Sequence, residues 1–564
     1  MSKNIYMREP QRPKRSISIG KLFFLSLVIS FFLLFFTLWI TEGSDFTNAL
    51  RYVFGPKNFV IYDTYTLSFD GSIPQEYVEK VTESLEKLEY NGKRRFEIRD
   101  RNADIQLSRE KQEDAEEIFS KQLIPVGHLY SLVNNISKET LNDFNLFILD
   151  STYREFLKQD YNIEVSLLNS YDDLVTKLAE DDRNIGMIEF NDLDFRVKIL
   201  EMDNNYYLED QSASVPINFY AKLKDKVDDF VIAILSRNTG LGNGSWREDR
   251  LAKVNMGGVV AITRGLALKM DNIGDNAYPA REIGDFLADA DLTHVSNEVS
   301  FVPGCKSYSG LSFCSRPEYI ETFQKAGVNI VELTGNHNND FGSQYSTETI
   351  ELYKNLGIRY FGGGLDKDDA SEILYEEVNG STVAFIGYNY YDTIYPSIAL
   401  AAENRAGANS YSEEKMRNDV RNAREKADVV IVTFQFQECW SYPPTDVIYP
   451  LCYKPLSNPD QKGVFRMAVD FGADIVIGSQ AHQPQTYELY GDGVIFYGTG
   501  NLFFDQNIWI GTRQGLILSH YVYEGKLIQS RITPIYMGKD DLMPRLATQE
   551  QGDLLLKLLK EARE

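Results

Sequence analysis

The residues best placed to do chemistry in this sequence stand where apolar runs end. Val295 leads into Ser296, Asn297 and Glu298, and the run from Ile330 to Leu333 leads into Thr334, Gly335, Asn336, His337, Asn338, Asn339 and Asp340. Val429 to Phe434 is followed by Gln435, Phe436, Gln437 and Glu438, and Ile475 to Ile477 by Gly478, Ser479, Gln480, Ala481 and His482. After Val494 to Phe496 come Asn501 and, a little further on, Asp505. In α/β sheets ligands collect outside the carboxyl ends of the strands. Five such ends delivering Glu, His, Asn and Asp describe one convergent polar pocket better than five unrelated loops. Taken singly, each has a plainer reading: Asn336 ends a strand with ordinary turn chemistry, and a lone His at a strand end is usually a hydrogen-bonded core residue. His128, His294 and His520 are read in that plainer way, and Tyr388, Tyr390 and Tyr391 as wall and core.

The elements that must position these residues alternate between strand and helix from about residue 251. Helical patterns at Ala280 to Ala288, Thr347 to Leu356, Glu413 to Lys426 and Lys462 to Phe471 separate the apolar runs. Ser410 with Glu413 offers a capping box to the third. Gly515 to Tyr523 and Lys526 to Ile535 flank Glu524-Gly525, a hairpin signal. The expected layout is an α/β domain over 251–545 and a closing helix over 549–562. A Gly- and Asn-rich connection from Arg237 to Trp246 separates this from an earlier α/β domain over 58–236, where short apolar runs again alternate with helical patterns.

From Leu22 to Ile40 every residue is apolar except Ser26, Ser30 and Thr37. At roughly 1.5 Å per residue this helix reaches about 28 Å, enough to cross a bilayer. Lys3, Arg8, Arg12, Lys14, Arg15 and Lys21 precede it, whereas Glu42 and Asp45 follow. The positive-inside rule therefore predicts a cytoplasmic basic segment at 1–21, one transmembrane helix at 22–40, and a bulk outside the cytoplasm. No small-x-small cleavage site follows the span, so an uncleaved anchor is expected rather than a signal peptide. With 58 Lys and Arg against 82 Asp and Glu, the net charge of −24 has the wrong sign for gripping nucleic acid. The four cysteines form two close pairs, Cys305 with Cys314 and Cys439 with Cys452; local disulfides are the preferred reading, and neither pair has zinc-ligand spacing.

Gly335 to Gly342, Gly472 to His482 and Tyr497 to Asp505, taken in order, resemble the CapA/PgsA-type capsule-synthesis proteins, whose domain is similar to calcineurin-like metallophosphoesterases. The resemblance covers about residues 253–540. It implies a metallophosphoesterase-like α/β sandwich on the bacterial cell membrane. It further implies a role in making or exporting an anionic capsule or wall polymer such as poly-γ-glutamate, alongside the membrane subunits of a synthase complex. Carried over by motif, the site residues are Glu298, Asn336, His337, Asp340, His482 and Asn501. In a hydrolase or transferase Glu298 or His337 would be the general base, and His482 with Asn336 would stabilise developing negative charge. The departures weigh against a metal pair. Gly257-Gly258 stands where the family usually has Gly-Asp, Gln435 where many members carry His, and Gln480 where the first His of the last motif is expected. The expectation is at most one divalent ion, on His337, His482 and Glu298, or none; a catalytically silent polymer-binding scaffold is the other reading. Asn184 to Met202 resembles the second lobe of a periplasmic solute-binding protein, which implies a solute-binding-like domain over 58–236.

Overall fold

A computed structural model describes residues 64–90, 93–239, 246–306, 308–394, 398–438 and 453–563. The expected basic segment and transmembrane helix, together with Cys439 and Cys452, lie outside the described residues. Among those described, no helix is long and apolar enough to cross a membrane. The architecture is mixed α/β, in two compact units. One takes the chain up to Ser120 and again over Asn218–Asn243; the other takes Lys121–Ile217 and everything from Gly244 on. The segment read from sequence as one domain over 58–236 thus contributes to both.

In the first unit, Tyr65–Phe69 pairs in parallel with Phe96–Ile98 on one side and Ile105–Ser108 on the other, and Tyr220 to Leu223 add on antiparallel. The helix Gln75–Glu86 buries Tyr77, Val81 and Leu85, one stripe at a spacing of four. Tyr77 stacks on Phe219 with ring centroids 5.1 Å apart.

The second unit is built on two sheets packed face to face. One runs in the order Arg359–Phe361, Ile330–Glu332, Leu292–Asn297, Leu251–Ala261, Gln514–Tyr523, Lys526–Met537 and Pro544–Leu546, with Asn501–Phe504 also paired to Leu251–Ala261. The other runs Leu374–Val378, Ser381–Asn389, Val429–Gln435, Ile475–Ser479, Gly493–Thr499 and Pro484–Tyr490. Val254, Met256 and Ile330 from the first sheet meet Phe385, Ile431, Ile477 and Phe496 from the second in the core between them. Helices cover the outer faces: Leu266, Met270, Phe323, Ile350 and Tyr353 pack on one, Met416, Val420, Phe465 and Ala468 on the other. Strands buried on both faces explain the unbroken apolar runs, as in Val429–Gln435, where every residue is buried.

Two details differ from the sequence reading. The expected helix at Ala280 to Ala288 is two short pieces, Tyr278–Ala280 and Gly284–Ala288, the second packed so closely that a Cβ on Gly284 would lie 3.0 Å from the Lys325 carbonyl oxygen. The helix Glu413–Arg424 is capped by Ser412, whose hydroxyl accepts from the Lys415 N–H, not by Ser410. The hairpin turn does form, with Glu524 and Gly525 both at positive φ.

Residues Lys121–Ile217 are held onto this sandwich within the same unit. Arg531 reaches Glu201 at 2.6 Å and Glu209 at 3.2 Å, and Lys560 reaches Asp182 at 2.9 Å. Phe190 meets Tyr523 edge-on at 4.8 Å, and Tyr130 joins the core between the sheets.

Candidate functional site

The site lies at the carboxyl ends of the parallel strands, and its geometry starts with glycines. Along Leu251–Ala261 the register slips between Met256 and Val259, so Met256 faces the core between the sheets while Val259 and Ala261 join a small cluster with Val299, Phe313 and Phe504. A Cβ on Gly335 would lie 2.3 Å from the Cα of Glu298, so only glycine lets the loop after Ile330–Glu332 close over the end of Leu292–Asn297. Val299 then bridges His337 in parallel, which fixes Glu298 beside the Asn336-His337 pair.

One hydrogen-bonded cluster joins four of the strand ends. The Gln435 amide nitrogen lies 3.2 Å from Asn336 Oδ1 and 3.4 Å from Glu298 Oε2, and it donates to Gln480 Oε1. Ser479 donates to the other end of that amide at 2.7 Å, and Gln480 Nε2 is 3.4 Å from Glu438 Oε1. Glu298 is only 1% exposed, and its Oε1 has no hydrogen-bond partner.

Beside this cluster, His337 Nδ1 lies 2.7 Å from Asp340 Oδ2, and the same oxygen accepts the Phe313 N–H at 2.7 Å. Burial works against the imidazolium of His337. The bond to Asp340 and the negative charges of Glu298, Asp340 and Glu438 outweigh it, so the imidazole is raised above its ordinary value. His482 sits 2.9 Å from Asn501 Oδ1 through Nδ1, and Asn501 in turn donates to the Thr512 carbonyl at 3.0 Å. The two histidines share an aromatic patch: Phe313 lies 4.1 Å from His337, Phe504 lies 5.3 Å from His482, and the two phenyl rings are 5.9 Å apart. Arg264 covers both rings at 4.7 and 4.9 Å and donates through Nε to Asp505 at 2.9 Å.

The structure therefore joins His337 to Asp340 and His482 to Asn501 by direct contacts and links Glu298 to Asn336 through the Gln435 amide, with Gln480 and the Phe313–Phe504 pair completing the site. Gln435 and Gln480 look from sequence like lost imidazoles, yet they are the hub of the cluster. Arg264 and Phe313 carry no sequence signal beyond their position after the first strand and inside the Cys305–Cys314 loop. That loop is closed by a disulfide between those two cysteines. His294 and His520 are buried in the core, and the Tyr388 hydroxyl bonds Asp419 on the outer helical side. Among the described residues no group of three or more His, Cys, Asp or Glu side chains is arranged to hold a metal. A carboxylate at position 258 would also meet the Gly500 carbonyl oxygen, 2.2 Å from the Cβ. The donor set among the described residues does not fit a metal pair.

Residues 253–506 match the family described as bacterial capsule synthesis protein PGA_cap. Among named relatives, the capsule biosynthesis protein CapA of Bacillus anthracis is 23% identical over 324 residues, covering 56% of this chain and 74% of that protein. The PGA biosynthesis protein CapA of Bacillus subtilis is 26% identical over 219 residues, covering 39% of this chain and 53% of that protein. A probable polyglutamine synthesis accessory protein of Mycobacterium tuberculosis is 23% identical over 205 residues and is covered to 48%. The match thus spans about half the length of the last two. The family match and these relatives make residues 253–506 similar to the CapA-type capsule-synthesis proteins. Among solved structures, a phosphate transport receptor from Vibrio cholerae is 11% identical, covering 32% of this chain and 99% of that one at a TM-score of 0.23.

Proposed function

We propose that this protein acts in the biosynthesis or export of an anionic capsule polymer such as poly-γ-glutamate, at the cleft formed by Glu298, Asn336, His337, Asp340, His482 and Asn501. The observation that carries the reading is the Gln435 amide, which ties Glu298, Asn336 and Gln480 from three strand ends into one cluster beside the His337–Asp340 pair. Buried polar groups gathered this way at strand ends serve ligand binding better than stability, because an unpaired buried oxygen such as Glu298 Oε1 is destabilising by itself. The relatives named for capsule and PGA biosynthesis supply the polymer class. In this reading the domain is a metallophosphoesterase-like sandwich that has lost its metal chemistry. It is held outside the cytoplasm by the span at 22–40, and residues 58–236 form a solute-binding-like module that works with the membrane subunits of a synthase.

The same cleft supports a second reading as a hydrolase or transferase on the polymer, favoured by the His337–Asp340 pair. Glu298 would take a proton from the attacking nucleophile, and His337, held by Asp340, would donate one to the leaving group. The test is complementation of a capsule-deficient deletion strain. Wild type is expected to restore cell-associated poly-γ-glutamate, and His337→Ala and Asn336→Ala are expected to fail while accumulating normally. Full capsule from both variants would overturn the assignment of this cleft. Endwise shortening of purified polymer by the wild-type protein, lost in His337→Ala, separates the enzyme from the scaffold.

A further inference from the structure

The site sets a buried cluster of oxygen acceptors beside a partly exposed imidazole. On one side Glu298 is almost wholly buried, with Oε1 unpartnered and Oε2 at the edge of hydrogen-bond reach, 3.4 Å from the Gln435 amide. Around that amide three oxygens converge: Glu298 Oε2, Asn336 Oδ1 and Gln480 Oε1. An amide nitrogen has two hydrogens and cannot serve three acceptors fully. The cluster is therefore rich in acceptors and short of donors, and a buried carboxylate oxygen in that position is stabilised by a ligand that brings N–H groups. On the other side His337 has its Nδ1 against Asp340, which leaves Nε2 as the ring nitrogen for a ligand, and its side chain is 21% exposed. The Arg264 guanidinium lies over Phe313, the ring that His337 packs against.

A chain with a net charge of −24 repels a polyanion along most of its length. Internal residues of a γ-linked glutamate chain offer a carboxylate and an amide, but only the amino-terminal residue adds an ammonium. That ammonium suits a buried acceptor cluster, and the carboxylate beside it suits the Nε2–H of a His337 imidazolium whose Nδ1–H goes to Asp340.

Resting on the capsule-polymer reading above, we infer that the cleft recognises the free amino end of the polymer, Glu298 with the Asn336 and Gln480 oxygens taking the terminal ammonium and His337 Nε2 taking the adjacent carboxylate. Binding of this kind selects one chain end and ignores the interior. It places the protein where the polymer begins or is released rather than along its shaft. No bond is made or broken in this recognition.

The test is calorimetric titration of the full-length protein, solubilised in detergent with a chelator present, using a γ-linked triglutamate with a free amino end and the same peptide N-acetylated. The free peptide is expected to bind at least about tenfold more tightly, the discrimination that a charge-assisted contact to a buried carboxylate gives. Glu298→Gln is expected to remove the difference, with the free peptide binding no better than the acetylated one. Equal binding of the two peptides by wild type overturns the amino-end assignment and leaves polymer binding standing. Binding of neither overturns the capsule-polymer reading as well. The wild-type comparison decides the matter even where Glu298→Gln fails to fold.

Discussion

A Cβ placed on Gly258 would lie 2.2 Å from the carbonyl oxygen of Gly500, and the Val259 N–H bonds that same oxygen at 3.0 Å. The resemblance to the capsule-synthesis proteins implies an Asp at this position, and its absence here goes with the backbone packing around Gly258. Gly258→Asp is therefore expected to destabilise the second unit by about 3 kcal/mol, toward the upper end for overpacking. It should confer no metal-dependent phosphoesterase activity. Urea unfolding and elemental analysis of the purified variant check both halves; a stable variant holding two metals per chain would show that the strand can move aside.

His482 and Gln480 both have positive φ, 55° and 83°, on either side of Ala481. Residues other than glycine pay about 1 kcal/mol or more there, and such conformations concentrate at ligand sites. His482→Gly is accordingly expected to be more stable than His482→Ala by up to about 1 kcal/mol, the reverse of the usual order for these two residues. Both variants lose the bond to Asn501, so both should lose function in the complementation assay. Parallel thermal melts that rank alanine above glycine would remove the strain argument.

Most of the sandwich was legible in the sequence because its strands are buried on both faces. The runs at Val429–Gln435 and Ile475–Ser479 are unbroken, and the strand ends that follow them are polar. What the sequence concealed was set by long-range packing. Gln435 reads as a lost ligand until Asn336, ninety-nine positions away, is seen to face it. The helix expected over Ala280 to Ala288 is two short pieces, the second of which packs Gly284 against Lys325 of a separate helix. The compact units likewise cut across the segment 58–236, since Lys121–Ile217 packs with the sandwich through contacts such as Arg531 with Glu201, which no local pattern announces.

Acid should weaken the fold in a defined window. Burial holds the His520 imidazole down at about 3, aided by the charge of His294, and holds His128 down at about 4, aided by Arg563 and Lys560. Unfolded, both would bind a proton near 6.5, so the unfolded state takes up more protons between that value and about 3 to 4. Their contribution to stability is complete above pH 6.5 and is lost progressively as the pH falls through the window. Urea midpoints at pH 7.5 and 5.0 are expected to drop for wild type and to drop less for His520→Gln. Nuclear magnetic resonance titration of the imidazoles should find His337 above 6.5 and these two below it, with Asp340→Asn lowering His337.

The disulfide between Cys305 and Cys314 couples stability to the site. It closes a loop across a sequence separation of 9, and in the chain-entropy model a bridge of that span contributes about 3 kcal/mol. The loop also runs on to Phe313, whose N–H bonds Asp340 and whose ring lies 4.1 Å from His337, while Ser315 donates to the Ile262 carbonyl at 2.7 Å. Loosening the loop thus frees the groups that hold Asp340 and His337 in place. Replacing both cysteines by serine is expected to lower the unfolding free energy by about 2 to 3 kcal/mol. It should also weaken binding of the γ-linked triglutamate severalfold at temperatures where the variant remains folded. Because Phe313→Ala leaves the bridge intact but removes the ring from His337, it should reproduce the binding loss without the loop-entropy component. If the double serine variant binds as wild type does while Phe313→Ala does not, the bridge serves stability alone and the ring holds the site without it.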